Sequence, residues 1–158
     1  MNTNVKRRVM LKGTLLASMA GVAASAGLLV PSKVLAVWSQ AAFDATTVDS
    51  ALNALVGSSS LTDSPDIKIK APAIAENGAV VNILVSTTIT GVESMSILVE
   101  KNASPLALSA DISKNVEPFV KTRVKIGKTS KVLGVVKAGG KLYSTSKQVK
   151  VTIGGCGG

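Results

Sequence analysis

The sequence predicts an all-β protein: an antiparallel β-sandwich of about seven strands, preceded by a short helix and followed by a flexible glycine-rich tail. Three observations carry that reading. From Ile67 onward, apolar residues recur in short runs, several of them alternating with polar residues at the spacing of strands. Turn signals separate the runs at Glu76-Asn77-Gly78, Thr90-Gly91, Ser104-Pro105, Gly127-Lys128 and Gly139-Gly140. After Ile153 the apolar pattern stops and the chain closes with Gly154-Gly155-Cys156-Gly157-Gly158.

The strand runs are residues 67–71, 79–87, 95–101, 106–112, 117–126, 132–137 and 141–153. In the fifth, Val120, Val124 and Ile126 fall on one side, with Lys121, Arg123 and Lys125 opposite. In the last, Tyr143, Val149, Val151 and Ile153 oppose Ser144, Gln148 and Lys150. That is the pattern of a sheet with one face on a core and one in water. Two runs break the alternation: Val80, Val81, Ile83, Leu84 and Val85, and Val132, Leu133, Val135 and Val136. Each places apolar groups on both faces, so a second layer must cover them. An N-terminal helix can cover one; the rest is either a subunit interface or the inside of a central strand.

That helix is predicted over residues 43–56. Val48, Leu52, Leu55 and Val56 share one helical face, Thr46 or Thr47 caps the start, and Asp49 sits in the first turn. Gly57 and the serines after it end the helix, and residues 61–66, with Ser64-Pro65, read as a loop.

Ahead of this lies a leader. Lys6-Arg7-Arg8-Val9-Met10-Leu11-Lys12 is a basic cluster, residues 13–32 are uncharged and rich in Ala, Gly and Leu, and Val34-Leu35-Ala36 offers small residues for cleavage. This order is that of an export signal, with the cut placed after Ala36. Adjacent Arg7 and Arg8 resemble the twin-arginine subclass, with Met10 where an aromatic is most usual. The competing reading is an uncleaved membrane anchor, which the run's length allows but its Ala and Gly content makes weakly hydrophobic. The expected domain organisation is a signal peptide over 1–36, helix and loop over 37–66, the sandwich over 67–153 and the tail over 154–158.

Cleavage lowers the formal charge from +9 to +4 on 122 residues, a size suited to one domain. The remaining charge is uneven: residues 37–113 carry a net −5 and residues 114–158 a net +9. Nucleic-acid binding fits poorly, because one Trp, one Tyr and two Phe supply few stacking platforms. The lysines are either solvated outer faces of strands or a field that favours anionic substrates and acidic partners near the tail.

Catalysis within the chain has no constellation to rest on. There is no His, so no Ser-His or Cys-His dyad forms, and no phosphate-cradling loop precedes a helix. With no His and a single Cys, no metal site and no cofactor are expected. What remains is Cys156, the sole thiol. A lone cysteine is more often a small buried hydrophobe, but a Gly-rich terminus is seldom packed. Its four glycine neighbours have no side chains and open φ/ψ space. Five extended residues reach at most roughly 17 Å, so the stretch reads as a thiol on a short bare tether. The nearest cation in sequence is Lys150, so nothing adjacent activates the thiol.

Val151-Thr152-Ile153-Gly154-Gly155-Cys156-Gly157-Gly158 resembles the ending of the SoxY family, the carrier subunits of the bacterial Sox sulfur-oxidation system. Thr122-Arg123-Val124-Lys125 and Gly140-Lys141-Leu142-Tyr143-Ser144 extend the likeness upstream, and a twin-arginine leader is typical of the family. Residues 37–66 are the least distinctive. The resemblance implies an immunoglobulin-like sandwich in the periplasm, acting as a non-catalytic carrier without cofactor and paired with SoxZ, a related all-β subunit. It implies that Cys156 holds thiosulfate-derived sulfur covalently and that Gly154, Gly155, Gly157 and Gly158 are its swinging tether. The transient partners it implies are a c-type haem enzyme that conjugates thiosulfate and a manganese-containing hydrolase that releases sulfate. In some organisms a molybdenum-haem sulfur dehydrogenase joins them. No nucleic acid, and no membrane after signal removal, belongs to this picture.

Two readings from other classes stand beside it. Ubiquitin-like sulfur carriers also end in Gly-Gly but load the terminal carboxylate in the cytoplasm, which an export signal argues against. A structural sandwich subunit joined through a Cys156 disulfide is the other.

Overall fold

The computed structural model describes residues 39–152; the leader with Arg7 and Arg8, and the tail with Cys156 and its four glycines, lie outside them. The helical piece expected over 43–56 is two helices, α1 (Gln40–Asp44) and α2 (Val48–Val56). The break has a local cause. Ala45 and Thr47 are extended, and Thr47 forms a capping box with Ser50. The Ser50 N–H donates to Thr47 Oγ1 at 3.1 Å and the Thr47 N–H to Ser50 Oγ at 3.2 Å. Of the two threonines read as candidate caps, Thr47 is the one used. Gly57, left-handed at φ 77°, ends α2 and donates its N–H to the Asn53 carbonyl.

Among the described residues nine strands follow: β1 (Thr62–Asp63), β2 (Ile67–Lys70), β3 (Ile74–Ala75), β4 (Val81–Thr87), β5 (Val92–Val99), β6 (Leu106–Asp111), β7 (Phe119–Val124), β8 (Ser130–Ala138) and β9 (Lys141–Val151). The seven longer ones are the seven expected runs. The two additions, β1 and β3, are two residues each and lie in stretches that show no strand periodicity.

The strands form two open sheets. The larger runs β1-β9-β8-β5-β6, with β3 also on β9, and the smaller runs β2-β4-β7. The main partners are antiparallel, as predicted, but β1 and β3 pair parallel with β9. The sheets face each other across a core of Ile67, Ile83, Val85, Met95, Ile97, Val124, Ile126, Val132, Val136 and Val149. Each such side chain, fully buried, contributes about 1.5–3 kcal/mol relative to exposure. Greek-key connections between two facing antiparallel sheets make this an immunoglobulin-like sandwich.

A third layer explains the double-faced β8. Val132 and Val136 face the smaller sheet, while Leu133 and Val135 face α1 and α2. Leu52, wholly buried on α2, packs in that second cluster with Ala42, Ala51, Leu98, Leu106, Val135 and Leu142. Ser104 Oγ donates to the Phe43 carbonyl and Ser39 Oγ to the Ala54 carbonyl at 3.2 Å, which ties the helices together and to the sheet. Gly134 sits between the inward valines of β8 for a steric reason. A Cβ there would stand 2.9 Å from Val85 Cγ1 and 3.4 Å from Ile69 Cγ1 across the core.

The other double-faced run, β4, is covered on one side only. Val81, Ile83 and Val85 are buried, while Leu84 is half-buried on the outer face, between Lys70 and Lys121 in register. At one end of the larger sheet the β8–β9 hairpin turns on Gly139 and Gly140, both at positive φ (57° and 72°), a conformation two glycines adopt without strain. Glu93 braces that hairpin: it pairs with Lys137 at 3.0 Å and accepts the Gly140 N–H at 3.2 Å. Lys137 foremost, then that N–H, hold its carboxyl below the usual carboxylate range.

Candidate functional site

The site is read from the end of β9, because Cys156 lies five residues beyond Val151. That end is held on both edges. On one, the Lys150 N–H donates to the Ala73 carbonyl at 2.9 Å and the Thr152 N–H to the Ala75 carbonyl at 3.1 Å, the ladder of β3. On the other, the Val151 N–H donates to Thr129 Oγ1 at 3.0 Å, and that hydroxyl donates to the Val151 carbonyl at 3.4 Å. The Val151 side chain, half-buried, packs on the main core. The last described turn of chain before the cysteine is therefore fixed in place by backbone, hydroxyl and apolar contacts together.

Gly78 makes this seat possible. Its carbonyl accepts the Ile126 N–H at 2.7 Å, and an added Cβ would stand 2.3 Å from the Ile126 carbonyl oxygen and 2.8 Å from Val151 Cγ1. Asn77 Oδ1 accepts the Ala79 N–H at 2.9 Å and so shapes the turn. Gly78→Val is expected to destabilise the fold by about 1–3 kcal/mol, the usual range for overpacking. Amide exchange at Val151 and Thr152 should accelerate more than at Ile97, in the middle of the core. Equal acceleration at both places would show that Gly78 has no particular hold on the end of β9.

Next to this seat lies a cleft of about 430 Å³ lined by Lys101, Asn102, Ser104, Lys125, Gly127 and Lys128. Asn102 braces it: Nδ2 donates to the Lys125 carbonyl at 2.7 Å and Oδ1 accepts the Gly127 N–H at 3.1 Å. Wholly buried Ser130 accepts the Lys101 N–H at 3.0 Å through Oγ. Among the described residues the only ion pair is Lys137–Glu93, so these three lysines carry their charge without a carboxylate partner. A larger concavity of about 750 Å³, lined by Ile89, Val92, Ile112, Val116 and Pro118, opens at the opposite pole, where β4 and β6 end and β5 and β7 begin. It is remote from the end of β9.

Among the described residues no group of three or more His, Cys, Asp or Glu is placed to hold a metal, and no helix is long and apolar enough to cross a membrane.

The family model of the sulfur oxidation protein SoxY matches residues 52–156, from α2 through to the cysteine. The chain belongs to the SoxY family. A solved structure, the sulfur carrier protein SoxY from Chlorobium limicola f thiosulfatophilum, is 44% identical over 68% of this chain and 97% of that one, with a TM-score of 0.63. An engineered protein of solved structure is also similar in shape, at 11% identity and a TM-score of 0.38 over 55% of this chain and 20% of that one. That likeness carries no argument. No curated protein matches the sequence.

As a SoxY, the chain is a carrier protein of sulfur oxidation with an immunoglobulin-like sandwich. Every residue the sequence singled out for this role, Cys156 with Gly154, Gly155, Gly157 and Gly158, and Arg7 with Arg8, falls outside the described residues. The structure supplies their setting, which sequence reasoning missed: the Thr129 clamp, the β3 ladder and the Asn102 brace. Glu76-Asn77-Gly78 was legible as a turn, but the need for a glycine there arises from Ile126 and Val151, distant in sequence.

Proposed function

We propose that this SoxY is a non-catalytic periplasmic carrier that holds thiosulfate-derived sulfur covalently on Cys156 and presents it in turn to the enzymes of sulfur oxidation. One observation carries the reading: the sole thiol lies five residues past a strand end held on both edges, and the family match runs as far as that thiol. A fixed root with a short glycine lead gives a thiol limited reach from a defined origin. The leader with Arg7 and Arg8 exports the chain by the twin-arginine route. A SoxZ-like subunit pairs with it, and the half-covered outer face of β4 around Leu84 offers apolar surface for docking.

The transient partners are a c-type haem enzyme that conjugates thiosulfate to the thiol, a hydrolase that releases sulfate and, where present, a sulfur dehydrogenase. Mass spectrometry of the tail from native protein tests the reading against its rivals. Sulfur adducts on Cys156 support the carrier. A thiocarboxylate on Gly158 identifies a ubiquitin-like carrier, and a disulfide dimer alone identifies a structural subunit.

The tether makes a second expectation. Valine at Gly155 or Gly157 restricts φ and ψ strongly and widens the chain where an enzyme pocket must enclose it. Gly155→Val and Gly157→Val are expected to keep the wild-type melting temperature and partner binding, since surface sites seldom alter stability. Both should slow sulfur loading and sulfate release by the separate enzymes. Wild-type rates for both steps would remove the swinging tether from the account.

A further inference from the structure

We propose that Asn77 is a self-modification site: the backbone nitrogen of Gly78 attacks its carboxamide, and the isoaspartate that results loosens the end of β9. This is independent of the carrier reading, since it uses only residues of the sandwich.

The chemistry balances within the chain and water. The Gly78 nitrogen, its proton lost to solvent base, bonds to Asn77 Cγ. The Cγ–Nδ2 bond breaks, and Nδ2 leaves with the electron pair and a proton as ammonia. Water then opens the cyclic succinimide at either carbonyl. Opening at Cγ restores the main chain and gives aspartate. Opening at the backbone carbonyl leaves the chain running through Cγ as isoaspartate, longer by a methylene. No oxidant, metal or second protein takes part.

Three observations place the reaction here. Asn77-Gly78 is the only Asn-Gly pair in the sequence, and a residue without a Cβ leaves its own nitrogen open to the carboxamide. Asn77 is exposed, so water and base reach it. Its Oδ1 accepts the Ala79 N–H at 2.9 Å, an Asx turn that folds the side chain forward over the Gly78 peptide and draws electron density from Cγ. The other asparagines among the described residues lack this setting. Asn53 lies inside α2, where the nitrogen after it is held in the helix. Asn82 and Asn115 precede the β-branched residues Ile83 and Val116, which crowd the attack. Asn102 has both ends of its carboxamide engaged, by Lys125 and Gly127.

The position makes the product matter. Asn77 stands between two holds on the end of β9. Before it, the Ala75 carbonyl accepts the Thr152 N–H at 3.1 Å. After it, the Gly78 carbonyl accepts the Ile126 N–H at 2.7 Å, and Val151 packs so close that an added Cβ would stand 2.8 Å from its Cγ1. A seat with no room for a carbon on Gly78 has no slack for an extra methylene beside it. The isoaspartate also draws Cγ and its oxygen into the main chain, which dissolves the Asx turn, and sets a free carboxylate next to Glu76. The Ile126 bond and the Val151 packing therefore weaken together, and the change accumulates with the age of the folded chain.

The test incubates the full folded chain in mildly alkaline buffer and maps its peptides by mass spectrometry, with electron-transfer fragmentation to separate isoaspartate from aspartate. Conversion at Asn77 is expected to run several-fold ahead of Asn53, Asn82, Asn102 and Asn115, with isoaspartate among the products. The converted chain, separated by its extra negative charge, should exchange the amides of Ile126, Val151 and Thr152 faster than fresh chain, with Ile97 unchanged. Asn77→Ser keeps a side-chain oxygen for the Ala79 N–H but has no carboxamide; after the same incubation it should exchange like fresh wild type. Asn77→Asp adds the charge without lengthening the chain and should also keep its protection. An intact Asn77 after the other asparagines have begun to convert would overturn the proposal. So would a converted chain that exchanges like the fresh one, or equal loss of protection in Asn77→Asp. Neither readout involves sulfur loading, so the carrier reading stands or falls by its own experiment.

Discussion

Cys156→Ser is expected to abolish sulfur loading from thiosulfate completely while leaving the melting temperature unchanged. The chain contains one thiol, so no other side chain can take its place in forming an S–S bond. Serine matches the shape, but its hydroxyl is a far weaker nucleophile without an adjacent base, and the chain has no His to act as one. Stability should hold because both packed clusters are assembled from side chains between Ala42 and Val151. The assay is intact mass of the purified variant after incubation with thiosulfate and the conjugating enzyme, beside a thermal melt. Retained adducts would move the attachment site elsewhere. A large loss of stability would mean that the cysteine belongs to the fold.

The largest structural effect is expected from Leu52→Ala. Leu52 is wholly buried on α2 and packs with Val135 and Leu142, the outward residues of β8 and β9, and with Leu98 and Leu106 of β5 and β6. It therefore joins the helical layer to four strands at once. Truncating such a leucine costs about 2–5 kcal/mol, from lost burial and the cavity left behind. For a domain of this size that corresponds to a fall in melting temperature of roughly 10–20 °C. The folded fraction should still load sulfur, since Leu52 is on the far side of the larger sheet from the sandwich core that seats Val151. A shift of only a few degrees would show that α1 and α2 are an appendage to the sandwich and not its third layer.

These two substitutions mark what was legible in the sequence. Cys156 stood out by composition, as one thiol among four glycines, and needed no fold. All seven longer strands were visible as apolar runs, and β7 shows why: Val120 and Val124, with Ile126 just past the strand, turn inward while Lys121, Arg123 and Lys125 face water, so a single run records its own burial. β1 and β3 left no record, because two residues have no period. The apolar spacing and the cap at Thr46 or Thr47 marked the start of α2, while the five-residue α1 before it is too short to show a period; the Thr47–Ser50 capping box sets the break locally.

The double-faced runs marked the limit of local pattern. Val132, Leu133, Val135 and Val136 looked alike in sequence to Val81, Ile83, Leu84 and Val85. Only the structure shows that α1 and α2 cover the outer face of β8, while Leu84 on β4 stays half-buried between two lysines. The setting of the end of β9 was illegible for the same reason. Thr129 meets Val151 across 22 residues, and Asn102 meets Lys125 and Gly127 across 23 and 25. Side-chain bonds of that span leave no periodic trace.

Whether Cys156 carries sulfur taken from thiosulfate is decided by loading the wild-type chain with isotope-labelled thiosulfate in the presence of the conjugating enzyme. The label is then located by fragmenting the tail. One labelled unit per chain is expected, on Cys156, released by thiol reductant. Label on any other residue, or an unlabelled Cys156 after full consumption of the thiosulfate, would contradict it.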